Sequence, residues 1–193
     1  METITITLTG ASPLLMHSAR GSNPLDKATI AHKALTSTRK KTEDHHRLIA
    51  ESEWHMGMYY DDKLGPYIPT MNIRSSLIGG AKFSKLGATV KRSTLVTEQM
   101  TRLDYIGPRT PEAMFADGNF VSVESVKVGQ ARLMRTRPLF RDWSLTFELL
   151  YDPEQIERAQ VIDAFESAGK LIGIGDFRPE CGGMYGRYSV TAH

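Results

Sequence analysis

Trp143-Ser-Leu-Thr-Phe-Glu-Leu-Leu-Tyr151, followed at once by Asp152-Pro153-Glu154, decides the fold class of this chain. Residues two apart on a strand share a face. Trp143, Leu145, Phe147 and Leu149 therefore line one side, and the spacing predicts a half-buried β-strand. Asp152-Pro153-Glu154 carries the marks of a helix start: a capping carboxylate, proline at the first helical position and an acid in the first turn. Ile156, Ala159, Phe165 and Ala168, with Ile162 or Val161, form the apolar face of that helix, and Gly169 is placed to end it. A further strand is expected from Tyr185 to Thr191.

Between that helix and that strand, the stretch Leu171 to Val190 holds Gly173, Gly175, Gly182, Gly183 and Gly186. Arg178 and Arg187 lie among them, with Phe177, Tyr185 and Tyr188. Glycine permits positive φ and close backbone approach. Backbone N–H groups bared in this way hold phosphate oxygens. Arginine adds a planar, charged fork, and aromatic rings offer stacking faces for bases. The composition fits a nucleic-acid-binding loop. It also fits a plain glycine-rich turn ahead of the last strand of a sheet.

Upstream, Phe120 to Val128 alternates cleanly, Gly129-Gln130 connects, and Ala131-Arg-Leu-Met-Arg-Thr-Arg-Pro138 follows. This is a β-hairpin with a two-residue connection. Arg132, Arg135 and Arg137 make its polar edge basic, which suits either a solvated strand face or a ribbon that contacts phosphates. Near the start, Glu2 to Thr9 alternates strictly, with Ile4, Ile6 and Leu8 on one side. Gly10-Ala-Ser-Pro13 breaks that strand, and Leu14, Leu15 and Met16 return to apolar surroundings before His17.

Residues 27–58 read as mainly helical. Thr42 caps a helix with Glu43 and Asp44 in its first turn, and Leu48, Ile49, Ala50, Trp54 and Met56 supply its apolar face. Residues 19–42 carry few large apolar side chains and read as an excursion from the core. A short strand and turn follow Tyr59, and Pro66 to Pro69 is extended. Thr70 is then expected to cap a helix running from Met71 to about Leu86. Ile73, Leu77 and Ala81, with Ile78, would be buried, and Arg74, Lys82 and Lys85 would lie off that stripe. Gly79-Gly80 costs this helix roughly 1 kcal/mol each against alanine. Such a pair implies that another backbone, a ligand or a sheet comes close there. Thr94 to Thr97 and Arg102 to Ile106 are short candidate strands.

Two β–α units with antiparallel pairings predict an α+β fold of the ferredoxin-like, RRM-like kind. The expectation is an antiparallel sheet with helices on one face, in one domain over residues 1–193. Residues 19–58 would be an insertion, 120–138 a hairpin arm, and the C-terminal stretch a glycine-rich loop. The net charge of +2 does not choose a partner. A single cysteine, Cys181, excludes an internal disulfide and suits a reducing, cytoplasmic setting. The first residues form a strand pattern, so no signal peptide is expected. No run of about eighteen apolar residues exists, so neither a membrane span nor a membrane partner is expected.

Three stretches coincide in order: Ser12-Pro-Leu-Leu-Met-His17, Tyr67-Ile-Pro-Thr-Met-Asn-Ile-Arg-Ser-Ser-Leu-Ile-Gly79-Gly80, and Gly173-Ile-Gly-Asp-Phe-Arg-Pro-Glu-Cys-Gly-Gly-Met-Tyr-Gly-Arg187. In this the chain resembles the RAMP superfamily (repeat-associated mysterious proteins), in particular the backbone subunits of CRISPR effector complexes. It departs from that pattern at Thr70 to Arg74, where the family has a shorter Gly-Ser run, and at Ile78, where lysine is common. The chain is also short for such a subunit, which suits a stand-alone or phage-type relative. The resemblance implies an RRM-like core, sequence-independent binding of RNA and head-to-tail assembly into a helical filament of antiviral defence. Counterparts of the family's motif residues are His17, Arg74, Gly173, Gly175, Gly183, Gly186 and Arg187. With Lys82, Arg178, Arg132, Arg135 and Arg137 they make the expected nucleic-acid-binding set.

The leading expectation is thus a non-catalytic binder of RNA, guide RNA included, or of single-stranded DNA. Its partners would be copies of itself and other effector subunits, with no cofactor and no metal. Some family members cut RNA with an aspartate after the first strand and a divalent metal. Asp26 is the only aspartate in that loop, and it carries the alternative of a metal-dependent endoribonuclease. A third possibility is a structural assembly protein whose basic arm meets an acidic neighbour. His45-His46 beside Glu43 and Asp44 is not a metal cluster, because adjacent helical residues point about 100° apart. His17, His32, His55 and His193 lack ligand spacing. No Gly-x-Ser-x-Gly, phosphate-loop lysine or Cys-x-x-Cys motif occurs.

Overall fold

The computed structural model describes residues 1–193, apart from the side chains of Lys127 and Val128. It is a mixed α+β protein with antiparallel sheets. In chain order the elements begin with β1 (Glu2–Gly10), β2 (Leu14–Leu15), α1 (Lys27–Ser37) and α2 (Glu43–Gly57). Next come β3 (Tyr60–Asp61), β4 (Gly65–Pro69), α3 (Thr70–Ala81), α4 (Gly87–Ser93), β5 (Thr94–Val96) and β6 (Met100–Asp104). Then follow α5 (Pro111–Asp117), β7 (Val121–Val128), β8 (Ala131–Phe140), β9 (Ser144–Tyr151), α6 (Arg158–Leu171) and β10 (Tyr188–Ala192).

The chain divides into two compact units, and each is built from separate stretches. The first comprises Met1–Leu14, Tyr60–Ile106 and Phe140–His193; the second comprises Leu15–Tyr59 and Gly107–Leu139.

In the first unit one sheet runs in the order β10-β1-β9-β6-β4-β3, with β5 also pairing β9. β1 is antiparallel to both neighbours, from Glu2↔Tyr151 to Thr9↔Ser144 on one side and from Ile6↔Ala192 to Gly10↔Tyr188 on the other. The alternation read from sequence fixes the faces. Ile4, Ile6 and Leu8 of β1 and Leu145, Phe147 and Leu149 of β9 are buried. Thr3, Thr9, Thr146 and Glu148 on the opposite face are exposed. The core is completed by Ile73, Leu77 and Ala81 of α3 and by Val161, Ala164, Phe165 and Ala168 of α6, with the Phe147 and Phe165 rings 5.9 Å apart. Of the two positions left open, Val161 is the buried one, and Ala159 faces solvent.

The helix boundaries differ from those expected. Asp152-Pro153-Glu154 forms a turn, with the Glu154 N–H donating to Asp152 Oδ1 at 3.1 Å, and α6 starts at Arg158. The true start carries a capping box. Glu157 accepts from the N3 backbone, and Gln160 accepts from the Glu157 N–H. Asp-Pro-Glu serves a turn as well as a cap, so the local signal could not separate the two. Gly169 lies inside α6 rather than ending it. A Cβ there would strike the Tyr188 carbonyl and ring, so its glycine permits β10 to pack on the helix. Gly173, at φ 75°, is the left-handed residue beyond the helix end, and its N–H donates to Ala168 O at 2.8 Å. Thr70 is the first residue of α3 rather than its cap, and its hydroxyl donates to Glu98 O. α3 ends at Ala81, and α4 begins after Lys85 at φ 61°. The last strand runs from Tyr188 rather than Tyr185. Gly79-Gly80 marks a helix crossing: a Cβ at Gly80 would meet the backbone of α6 at Ala164 and Ala168.

In the second unit β8 pairs β7 from Val121↔Pro138 to Val128↔Ala131, and the hairpin turns at Gly129-Gln130 as expected. Its core gathers Met16, Trp54, Met114 and Leu139. Trp54 Nε1 donates to Phe120 O at 2.8 Å, and its ring meets Phe115 edge-on at 5.4 Å. Trp54, expected on the apolar face of α2, is buried; Leu48, expected there too, is exposed, and Glu53 is buried.

Candidate nucleic-acid interface

The expected binding residues fall on both units. His17, Asp26, Arg132, Arg135 and Arg137 belong to the second, and Arg74, Lys82, Gly173, Gly175, Arg178, Gly183, Gly186 and Arg187 to the first. Their charge surroundings differ. The second unit holds twelve Lys and Arg against eight Asp and Glu, and the first holds twelve against fourteen.

In the second unit α2 carries Glu53 and Gly57 one turn apart on the same face. A Cβ on Gly57 would stand 3.0 Å from Pro138 Cδ, so glycine here allows α2 to lie close against β8. That approach brings the Glu53 carboxylate onto the strand. Its Oε2 accepts from the Thr136 N–H at 3.0 Å, and its Oε1 accepts from Arg135 Nη1 at 2.9 Å. Arg137 Nη1 stands 3.8 Å from the same oxygen. The Glu53 and Arg137 side chains are only 10% and 11% exposed, so this triad is charge held largely away from water. Arg132, five residues before Arg137, falls on the other face of the strand by the alternation, and it is exposed. The three arginines read from sequence as one basic edge therefore split. Two grip a buried carboxylate, and one faces solvent.

A cleft of about 270 Å³ opens beside the triad, lined among others by His17, Ser18, His32, Glu53, Arg135 and Arg137. α1 supplies His32, whose Nδ1 is 3.1 Å from Ser52 Oγ. Burial pushes the His32 pKa below its ordinary 6.5. The nearby Arg135 charge adds to that, and Glu53 opposes it. Sequence reading missed Glu53 and His32. The available signal was an acid next to Trp54 and one turn before Gly57 on a helix, in a chain with surplus arginines on one strand.

Asp26 is committed elsewhere. It caps α1, with Oδ1 accepting from the Ala28 and Thr29 N–H groups at 3.0 and 3.2 Å and Oδ2 accepting from Arg20 Nε at 2.8 Å. The Arg20 bond is the main reason its pKa sits below the ordinary 3.8. Among the described residues no group of three or more His, Cys, Asp or Glu is arranged to hold a metal ion.

In the first unit the segment between α6 and β10 folds tightly on itself. Gly173, Gly175, Gly182 and Gly186 take positive φ, from 69° to 85°. A Cβ on Gly183 would land inside the Phe177 carbonyl. The Ile174 N–H donates to Gly186 O at 2.9 Å, and the Gly186 N–H donates to Pro13 O at 2.8 Å. Ser76 of α3 reaches in with its hydroxyl, 2.8 Å from both Gly173 O and the Tyr188 hydroxyl. Burial holds the Tyr188 pKa far above its usual value.

The arginines of this unit also serve local structure. Arg178 donates to Glu180 Oε2 at 2.6 Å and to Gly175 O at 3.2 Å. Arg187 donates through its guanidinium to Lys170 O in the last turn of α6. Arg74 donates to Lys91 O at 2.6 Å, tying α3 to α4. Lys82 follows α3 directly and is exposed. Phe177, at φ 46°, is half-exposed, and its ring stands 6.4 Å from that of Tyr185.

No helix is long and apolar enough to cross a membrane among the described residues. No protein-family model matches this chain, and no curated protein sequence matches it significantly.

Proposed function

We propose that this protein binds single-stranded nucleic acid, RNA before DNA, along its backbone, as a repeated subunit of a helical RAMP-type ribonucleoprotein. The observation that carries this reading is the strand order of the first unit. β1, α3, β6, β9, α6 and β10 follow one another in the chain, and the corresponding strands lie as β10-β1-β9-β6. That order supports a split βαβ, ferredoxin-like core, in which the first strand sits between the last and the third. It is the core that the resemblance to RAMP proteins implies. The charge of the second unit supports the same reading. Arg39, Lys40, Lys41 and Arg132 are exposed there, and such cations position a strand without reading its bases. The cytoplasm is the compartment that goes with this function, as does the lone Cys181.

The test is the anisotropy of labelled 30-nucleotide poly-U RNA, and of its DNA counterpart, titrated with the full chain at 50 and 200 mM salt. Four phosphate contacts give a slope of about −2.8 in log affinity against log salt, or about a 50-fold loss over that range. Binding should grow with strand length and yield assemblies that RNase disperses. A chain that stays monomeric and ignores both strands at low salt overturns the proposal.

A further inference from the structure

We infer that the cleft beside Glu53 in the second unit is a seat for one phosphate group carrying a single negative charge, held chiefly by Arg135. The inference rests on the nucleic-acid reading and deepens it by locating one backbone contact. Charge comes first. Arg135 and Arg137 bring two positive charges to the cleft, and Glu53 brings one negative, which leaves one net positive charge. A phosphodiester link carries one negative charge and matches it; a phosphate dianion does not. Burial works against a charge on His32.

Geometry agrees. A guanidinium has five N–H donors, and Arg135 gives one of them to Glu53 while its side chain stays 35% exposed at the cleft. The carboxylate holds that guanidinium in place, so a phosphate meets a donor already oriented. At about 270 Å³ the cleft falls just below the usual range of small-molecule pockets, roughly 300–1,000 Å³. It takes one phosphate and part of a sugar rather than a whole nucleobase chain.

The experiment compares the wild-type chain with Arg135→Lys and with the double variant Glu53→Gln/Arg135→Gln. The lysine keeps a charge beside Glu53 but loses the fork. The double variant removes a positive and a negative charge together, so the cleft keeps one net positive charge, on Arg137, and loses the Arg135 donors. Thermal melting checks that both fold. Poly-U RNA affinity should fall about tenfold in each, the weight of one charge-assisted hydrogen bond. In parallel, ¹⁵N resonances of the Arg135 and His32 side chains are followed with the trinucleotide UpUpU and with inorganic phosphate. Shifts with UpUpU at concentrations where inorganic phosphate has no effect assign the seat to a strand. Equal shifts with both overturn the diester in favour of a free-phosphate site. If wild type binds RNA and both variants match its affinity, the seat is wrong while the nucleic-acid reading stands. If wild type binds no strand, both fall.

Discussion

Replacing Gly80 with alanine should destabilise the first unit, while the same replacement one residue earlier, at Gly79, should not. In a helix interior alanine is better than glycine by about 0.8–1.0 kcal/mol, so propensity favours both changes. The neighbours decide the sign. A methyl at Gly80 would sit inside contact distance of the Ala164 carbonyl oxygen, 2.6 Å from the Ala168 nitrogen and 2.7 Å from its Cβ. These are mostly main-chain atoms of α6 and cannot rotate away, so the overpacking cost lies near the top of the usual range, about 3 kcal/mol. The net loss is then about 2 kcal/mol. A methyl at Gly79 meets only the Ile172 side chain, at 3.1–3.2 Å, which yields by a few tenths of an ångström. Its net effect lies between neutral and a gain of about 1 kcal/mol. For a chain of this length the two variants should differ in melting temperature by about 5–10 °C. Circular dichroism melts, with urea unfolding as a second measure, read this directly. Equal midpoints, or a Gly80→Ala protein more stable than wild type, would refute the close crossing of α3 and α6.

Two further predictions concern the second unit. Trp54→Phe removes the indole donor to Phe120 O, but that carbonyl also accepts from the Leu139 N–H at 2.9 Å and is not orphaned. The loss is therefore about 1 kcal/mol for the bond and about 1 more for the missing ring volume, seen as a lower urea midpoint; an unchanged midpoint counts against the buried indole. His32 should make stability depend on pH. Its folded pKa lies below 6.5, held down by burial and Arg135 against the pull of Glu53. As pH falls through 6.5 the unfolded chain takes up the proton first, so the contribution is full above that pH and is lost below it. Urea unfolding at pH 7.5 and 5.5 should show a smaller pH effect in His32→Gln than in wild type, and identical effects would exclude the titration.

The elements easiest to read from sequence were those whose signal is local. The two-residue alternation of Ile4, Ile6 and Leu8, and of Leu145, Phe147 and Leu149, needs no knowledge of the rest of the chain, and both strands lie where the pattern puts them. So does the hairpin at Gly129-Gln130. Boundaries were harder, because one residue type serves several purposes. Gly169 and Gly173 are both glycines near a helix end, yet one admits β10 and the other turns the chain. The role of Glu53 became plain only once β8 was placed against α2, since a carboxylate on an amphipathic helix is ordinarily solvated. The same holds for Arg74, Arg178 and Arg187. Their positive charge is plain in the sequence, but the carbonyls and the carboxylate they hold belong to residues 2 to 17 positions away.

β1 pairs on one side with β9 and on the other with β10, and both are made last. From Gly10 to Ser144 a ribosome working at about 5–20 residues per second needs roughly 7–27 s. Throughout that interval Ile4, Ile6 and Leu8 have been made with neither partner strand in existence. The nascent chain must carry an apolar, unpaired strand until residue 144 is reached, a state open to association with neighbouring chains on the same message. Yield on overexpression should therefore respond to holdase chaperones and to lower growth temperature more than the stability of the finished fold would suggest.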